Sequence, residues 1–260
     1  MKSYIKAIMI FNKNGEVRNV PLQPGVNIVT GDSKTGKSAL VEIIDYCLCS
    51  SRCTIPKGKI TEFAYIYVMP ILINDITYVV ARYKWENKEK ITGKMYVVKE
   101  KATFNYNNIT LDYFSDKPCL NVKDAQYEIE SALGLCVPNM EIDKDKQGKK
   151  ASLRSMVSYL FQHQNLMASK FALFYRFSDF YKRKDVIEQF PVFAGIVGQG
   201  YYSDLLELSS LESQLKRKKK EQRDNEKEND YVKKIYCLYY RIIMHFLIFH
   251  LLMIFQQKSC

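Results

Sequence analysis

Residues 31–38 form the run Gly31-Asp32-Ser33-Lys34-Thr35-Gly36-Lys37-Ser38, which matches the pattern G-x-x-x-x-G-K-[ST] in full. Its two glycines let the backbone turn tightly, so that successive N–H groups point inward at an anion. Lys37 can reach the β and γ phosphates of a nucleotide, and the Ser38 hydroxyl can ligate Mg²⁺. The run, together with Ala39 after it, therefore predicts a binding site for a nucleoside triphosphate and Mg²⁺.

The sequence on either side of this loop predicts a strand and a helix. Residues 25–30 are apolar and β-branched and begin with the turn-forming pair Pro24-Gly25, which predicts a short buried strand. Residues 39–49 carry apolar side chains at helical spacing, and the positive N-terminal end of such a helix would face the same anion. Strand, glycine loop and helix are the context that the motif requires.

The rest of the first 160 residues predicts an α/β fold with an antiparallel β meander. Strands are predicted from runs rich in Tyr, Ile and Val at 4–11, 16–22, 63–73, 76–84, 95–100 and 103–106. The pair Asn74-Asp75 predicts a hairpin turn. Two helices are predicted, one at 122–133 that ends before Gly134 and one at 153–161 that Ser152 caps. A polar loop is predicted at 141–150.

Charge and cysteine content restrict the partners and the compartment. The net charge of +11 suits an anionic partner such as nucleic acid, although the basic run at 216–220 also fits a solvated helix face. The seven cysteines are scattered and odd in number, and no signal peptide opens the chain, so we expect a cytoplasmic protein. Cys47, Cys49 and Cys53 lack the paired spacing of a zinc site, and we expect them to be buried, inert thiols.

The sequence pattern changes twice within the last 58 residues. Residues 203–234 predict the start of a coiled-coil arm, capped by Ser203, because leucines recur at three- and four-residue steps at Leu205, Leu208, Leu211 and Leu215. An amphipathic surface helix is the alternative. The apolar tail at 235–260 has three interpretations: a truncation or frameshift product, which its abrupt start favours, a membrane anchor, or a packed helix. Charged and polar side chains within it oppose the anchor: Arg241, His245 and His250.

Two segments of the chain resemble the SMC and SbcC-like branch of the ABC-type ATPases. They are residues 24–40 and the run Phe161-Gln162-His163-Gln164-Asn165. Residues 45–58 look like an uncharacterised bacterial group of that branch, found in multi-component, defence-type systems. The resemblance implies a P-loop NTPase of ABC/SMC type, with residues 1–202 as the N-terminal lobe of an ATPase head. It also implies that Gln164, with Gln162 in reserve, completes the Mg²⁺ shell.

The resemblance further implies an activity that this chain does not carry alone. The implied cofactors are ATP and Mg²⁺. The implied partners are DNA, accessory proteins and a second head, as in a homodimer. A membrane is not expected as a partner. The family's metal-binding Asp and signature segment follow the returning coil, and the nearest candidate here, Asn74-Asp75, reads as a turn. We therefore expect a truncated half-head that binds ATP and hydrolyses it only when completed. The alternatives are a self-contained P-loop kinase or GTPase and a membrane-tethered nucleotide-binding protein.

Overall fold

An antiparallel sheet organises the first of two compact units in this computed structural model, which comprise Met1–Ser203 and Asp204–Cys260. The structure describes residues 3–33, 35–85, 93–135, 151–170, 174, 175, 177, 179–198 and 200–257. Within these ranges the sheet contains seven strands: β1 (Ser3–Ile5), β2 (Ala7–Phe11), β3 (Val17–Pro21), β4 (Ile66–Ile73), β5 (Ile76–Tyr83), β6 (Lys94–Lys101) and β7 (Leu120–Asn121). Their order is β3-β2-β4-β5-β6-β7, and β1 also pairs with β4.

Local turn chemistry fixes the register of the central hairpin. Asn74 and Asp75 have φ angles of 47° and 63°, and Ile73 pairs with Ile76 across them, so β4 and β5 are joined by a two-residue turn. Both residue types tolerate the left-handed conformation that such a turn requires. The predicted hairpin is confirmed, and Asp75 lies at its tip.

The helices of the described residues are α1 (Lys37–Cys47), α2 (Lys59–Phe63), α3 (Val122–Ala132), α4 (Leu153–Leu160), α5 (Gln164–Met167), α6 (Phe180–Phe193) and α7 (Gly200–Gln257). The predicted stop signal of α3 is confirmed, because Gly134 has a φ of 69°. The predicted cap of α4 is confirmed as well, since Oγ of Ser152 accepts a hydrogen bond from the amide of Ser155 at 3.1 Å.

Two apolar layers cover the two faces of the sheet, because successive strand residues point to opposite sides. On one face Ile10, Tyr67 and Val80 pack with Ile43 and Tyr46 of α1, beside α3 and α4. The other face packs against the segment that contains two 3-10 turns, Tyr106–Asn108 and Asp112–Phe114. This arrangement holds α1 on the sheet, and the glycine loop leads directly into α1.

The predicted strand at 25–30 is not formed. These residues have no strand assignment, and Val26, Ile28 and Val29 are 92%, 82% and 46% exposed. A strand needs a neighbour that accepts its backbone hydrogen bonds and covers its apolar side chains. No strand in the described part of the chain pairs with this segment. The prediction was therefore wrong for this chain, although the composition of a buried strand is present.

Two further predictions were wrong for local reasons. Residues 103–106 do not extend the meander, because the Asn105 side chain accepts a hydrogen bond from the amide of Asn107 and starts a 3-10 turn. Ser203 does not cap the last helix, since α7 begins three residues earlier at Gly200. The polar loop at 141–150 lies outside the described residues.

The second unit consists of the remaining length of α7. The leucine stripe is present on it, and all four of its side chains are exposed: Leu205, Leu208, Leu211 and Leu215. The backbone of the apolar tail is helical up to Gln257. Among the residues that the structure describes, no helix combines the length and apolarity that crossing a bilayer requires.

Candidate functional site

The glycine loop leads into the N-terminus of helix α1, which has no side-chain cap within the described residues. Gly31 and Gly36 have φ angles of 148° and 92°, which residues other than glycine rarely adopt. Helix α1 begins directly after Gly36, at Lys37. In the described chain the N-terminus of α1 has no side-chain cap and no acidic residue in its first turn. The Ala39 amide donates to the Gly36 carbonyl at 3.0 Å, and the positive end of the helix dipole remains available to attract an external anion.

Lys37 lies across the mouth of this loop. Its Nζ atom donates to the carbonyl oxygens of Gly31 at 2.6 Å and Asp32 at 2.5 Å, and it lies 3.3 Å from Oγ1 of Thr35. The Thr35 hydroxyl in turn donates to the Asp32 carbonyl at 2.8 Å. The loop is thus wrapped around one ammonium group, which is the charge that a triphosphate would meet.

The other residues of the run at 32–39 differ in their exposure. Asp32, Ser33 and Ser38 are exposed, and the methyl group of Ala39 is buried against the core. Lys34 lies outside the described residues. An exposed serine hydroxyl on the first turn of a helix, beside a lysine and the positive end of the helix dipole, fits a Mg²⁺-bound triphosphate. The donors present are therefore those that ATP and Mg²⁺ would need.

Helix α2 supports the loop from outside. A Cβ atom built on Gly36 would lie 2.8 Å from Cδ1 of Ile60, which is closer than real Cβ atoms approach. The positive φ favours glycine at position 36, and an added Cβ would also require the end of the Ile60 side chain to move. This close approach of Ile60 in α2 to the start of α1 is not evident from the sequence motif.

One face of α1 carries polar side chains at helical spacing. Ser38, Glu42 and Asp45 lie at i, i+4 and i+7, so they align along the helix. Asp45 is only 1% exposed, and its Oδ1 atom lies 2.8 Å from Nη2 of Arg154 at the start of α4. Nη1 of Arg154 also donates to the Leu48 carbonyl at 2.9 Å, which satisfies the C-terminal end of α1. This pair anchors α4 to the helix that follows the loop.

The glutamine segment lies against the same face of α1. Nδ1 of His163 is 3.6 Å from Oε1 of Glu42, and the His163 ring centroid is 4.7 Å from that of Tyr175. Helix α5 begins at Gln164, whose side chain lies outside the described residues, and Gln162 is exposed. The fold thus brings this segment to the helix that carries Ser38. A metal-ligand role for either glutamine stays a prediction.

The cysteines after α1 are buried. Burial raises the pKa of both Cys47 and Cys49 to about 12, so these thiols are protonated at neutral pH. Sγ of Cys49 lies 3.8 Å from Sδ of Met95, and Cys53 is also buried. The predicted buried thiols are confirmed. No group of three His, Cys, Asp or Glu side chains within the described ranges is placed to hold a metal ion.

Sequence reasoning missed the residues that brace the site. Arg154 is 109 positions from Asp45, and no local signal connects the two. Glu42 could have been found, because it interrupts the apolar pattern of α1 one turn after Ser38. His163 was inside the quoted glutamine segment, but its contact with α1 depends on the fold.

Comparison with known proteins gives one family. A family model described as an AAA domain matches residues 4–238, which is most of the chain and includes the glycine loop, the glutamine segment and the first part of α7. No curated protein matches the sequence.

Proposed function

The chain belongs to the AAA domain family of ATPases, and on this basis we propose that it is the ATP- and Mg²⁺-binding N-terminal half of an SMC-like ATPase head. Amide groups of the loop at 31–36 and the ammonium of Lys37 bind the phosphates, and the Ser38 hydroxyl faces the metal. Bound Mg²⁺ would neutralise the phosphate oxygens and polarise the terminal phosphoryl group.

The exposed segment before the loop carries the proposal of a half-head. Val26 and Ile28 are β-branched residues of the kind found in buried strands, yet both are almost fully exposed. A neighbouring strand from a C-terminal lobe would pair with this segment and cover these side chains. Asp75, the nearest candidate for the metal-binding Asp, is at a hairpin tip. Hydrolysis of ATP would therefore require groups from that lobe and from a second head.

The second unit supports the proposed association with DNA. Lys216, Lys220, Arg223 and Lys227 follow steps of four, three and four residues, which places them on one face of α7 over about 16 Å. We call these four side chains the basic ridge. Within the described chain none of them has an ion pair or hydrogen bond, whereas the neighbouring Arg217 and Lys218 both pair with Glu221. Unpaired cations in a row suit a phosphate backbone.

The proposal is tested by comparing ATP binding with ATP turnover in the 260-residue chain. We expect saturable binding of ATP with no steady-state hydrolysis above that of the Lys37→Ala variant. Turnover that is lost in Lys37→Ala would instead identify a self-contained enzyme, and preference for GTP would favour a GTPase. Dimerisation and the binding of accessory proteins would be measured after the C-terminal lobe has been added.

A further inference from the structure

His163 connects two parts of the candidate site that the motifs leave separate. Its carbonyl oxygen accepts hydrogen bonds from the amides of Leu166 at 2.8 Å and Met167 at 3.2 Å, so its backbone closes the turn that begins at Gln164. Its side chain lies on α1, 3.6 Å from Glu42. His163 therefore links Glu42 directly to the glutamine turn.

Glu42 is itself fixed to the phosphate-binding helix. It follows Ser38 by one helical turn on the same face of α1. The Thr54 hydroxyl donates a hydrogen bond to Oε2 of Glu42, which leaves Oε1 directed at His163. Lower on this face, Asp45 binds Arg154 of α4. The chain on both sides of residue 160 is thus held against the face of α1 that carries the Ser38 hydroxyl.

The His163 ring has few other restraints. It packs against the Tyr175 ring, and the Tyr175 amide donates to the Ser158 carbonyl of α4 at 3.3 Å. The Nε2 atom is buried and has no hydrogen-bond partner in the part of the chain that is described. Within the described residues, the 3.6 Å contact between Nδ1 and Oε1 of Glu42 is the polar side-chain contact of this ring.

We propose that Glu42 and His163 form a positioning pair that sets the distance between the glutamine turn and Ser38, and so controls the metal-dependent part of nucleotide binding. This inference rests on the proposed function, because it requires Ser38 and Gln164 (or Gln162) to share one Mg²⁺ ion. Serine hydroxyl and glutamine amide oxygens are ligands that Mg²⁺ accepts, and it demands near-ideal octahedral geometry. Residues that orient metal ligands without touching the metal commonly change metal affinity 10–100-fold.

The first test titrates a fluorescent ATP analogue into the Glu42→Ala and His163→Ala variants of the 260-residue chain, in EDTA and in Mg²⁺. We expect Kd in EDTA to stay within about twofold of wild type, and the gain in affinity from Mg²⁺ to fall about tenfold. The double variant should lose no more than either single variant, because the two residues act as a unit. His163→Asn, which keeps a nitrogen near the position of Nδ1, should restore part of the gain. Glu62→Ala, which removes an exposed carboxylate from α2, is the control.

An unchanged Mg²⁺ gain in both variants would overturn the pair, and so would an equal loss in EDTA and in Mg²⁺, which would indicate a general defect of the loop. The second test needs no nucleotide: amide hydrogen exchange at Leu166 and Met167 should be faster in Glu42→Ala than in wild type. Unchanged exchange at these amides would refute the pair by itself. A wild-type chain that binds no nucleotide in either buffer would instead refute the proposed function, and the metal role of the pair with it.

Discussion

The Nζ atom of Lys37 lies 2.6 Å from the carbonyl oxygen of Gly31, six residues earlier in the chain. A lysine that binds the carbonyls of its own loop keeps the loop closed around a positive charge. Phosphate oxygens are stronger acceptors for an ammonium group than neutral carbonyls are, because both partners are then ionised. The geometry therefore favours exchange of these internal hydrogen bonds for bonds to a triphosphate.

Gly36→Ala tests the packing of the loop on α2. A Cβ at this position meets Ile60 and also occupies a φ of 92°, so we expect a loss of about 1–2 kcal/mol of stability and a weakened nucleotide affinity. Gly15→Ala is the matched control, since its φ is 85° but nothing lies within 4 Å of the added atom. Both variants should lose stability in urea unfolding, and only Gly36→Ala should lose affinity. Equal affinities in the two variants would show that the contact with Ile60 does not matter.

Arg82 is expected to be a main determinant of stability. Its fully buried guanidinium donates to the carbonyls of Tyr46 at 2.9 Å and Ser50 at 2.7 Å and stacks on the Tyr46 ring. Arg82→Ala leaves both carbonyls without this donor, and we expect a loss of about 3 kcal/mol or more. The fluorescence of Trp85, which is buried beside Tyr46, reports the unfolding. Arg52→Ala, an exposed position, should change stability by less than about 0.5 kcal/mol.

The buried thiols of Cys47 and Cys49 should make the free energy of unfolding fall as the pH rises. The pKa of Cys47 and of Cys49 is about 12 in the folded chain against an ordinary 9.0, so the folded state retains protons that the unfolded state releases. Their contribution to stability is complete below pH 9 and falls as the pH rises from 9 towards 12. Urea unfolding between pH 8 and 10.5 should show this decline, and Cys47→Ala should make it shallower. A free energy of unfolding that rises over this range would contradict the assignment.

The same burial predicts selective alkylation. At pH 8 the thiolate fraction of Cys47 is far below that of an ordinary thiol, because burial raises its pKa. Iodoacetamide should therefore modify the exposed Cys119 and Cys237 before Cys47 and Cys49, as mass spectrometry of the labelled chain would show. Rapid labelling of Cys47 in the folded protein would mean that the end of α1 is open to solvent.

Local sequence was sufficient where neighbouring residues determine the structure. The hairpin at Asn74-Asp75 and the cap at Ser152 follow from turn and capping chemistry within a few residues, and both were predicted. Residues 25–30 show the limit of such reasoning. Their apolar, β-branched composition indicates a need for burial, but a strand also needs a neighbour, and none of the described strands provides one.

The candidate site also has parts that local sequence predicts and parts that it does not. The helix after the loop was predicted and is formed at Lys37–Cys47. The triphosphate-binding role of Gly31–Ser38 stays a prediction from the glycines, the lysine and the serine of the motif. The bracing contacts of Arg154 with Asp45 and of His163 with Glu42 were not predicted, since they join residues more than a hundred positions apart. Such contacts depend on how α4 packs against α1.

The basic ridge on α7 can be separated from net charge by two double variants. Lys220→Gln with Arg223→Gln removes two unpaired cations, whereas Arg217→Gln with Lys218→Gln removes two that pair with Glu221. For binding to duplex DNA, the slope of log K against log salt should become shallower by about 2 in the first variant. The second variant should change it much less. Equal changes in both would show that only total charge matters.

Isothermal titration of ATP·Mg²⁺ into the wild-type chain and into Lys37→Ala is the most direct measurement. We expect the wild type to bind one nucleotide per chain, and Lys37→Ala to bind at least ~100-fold more weakly because it loses charge-assisted bonds to the phosphates. The circular dichroism of the two proteins should be identical, since among the described residues the hydrogen bonds of Lys37 Nζ all go to its own loop. Equal dissociation constants, or no binding by the wild type, would contradict the assignment of residues 31–38 as a triphosphate site.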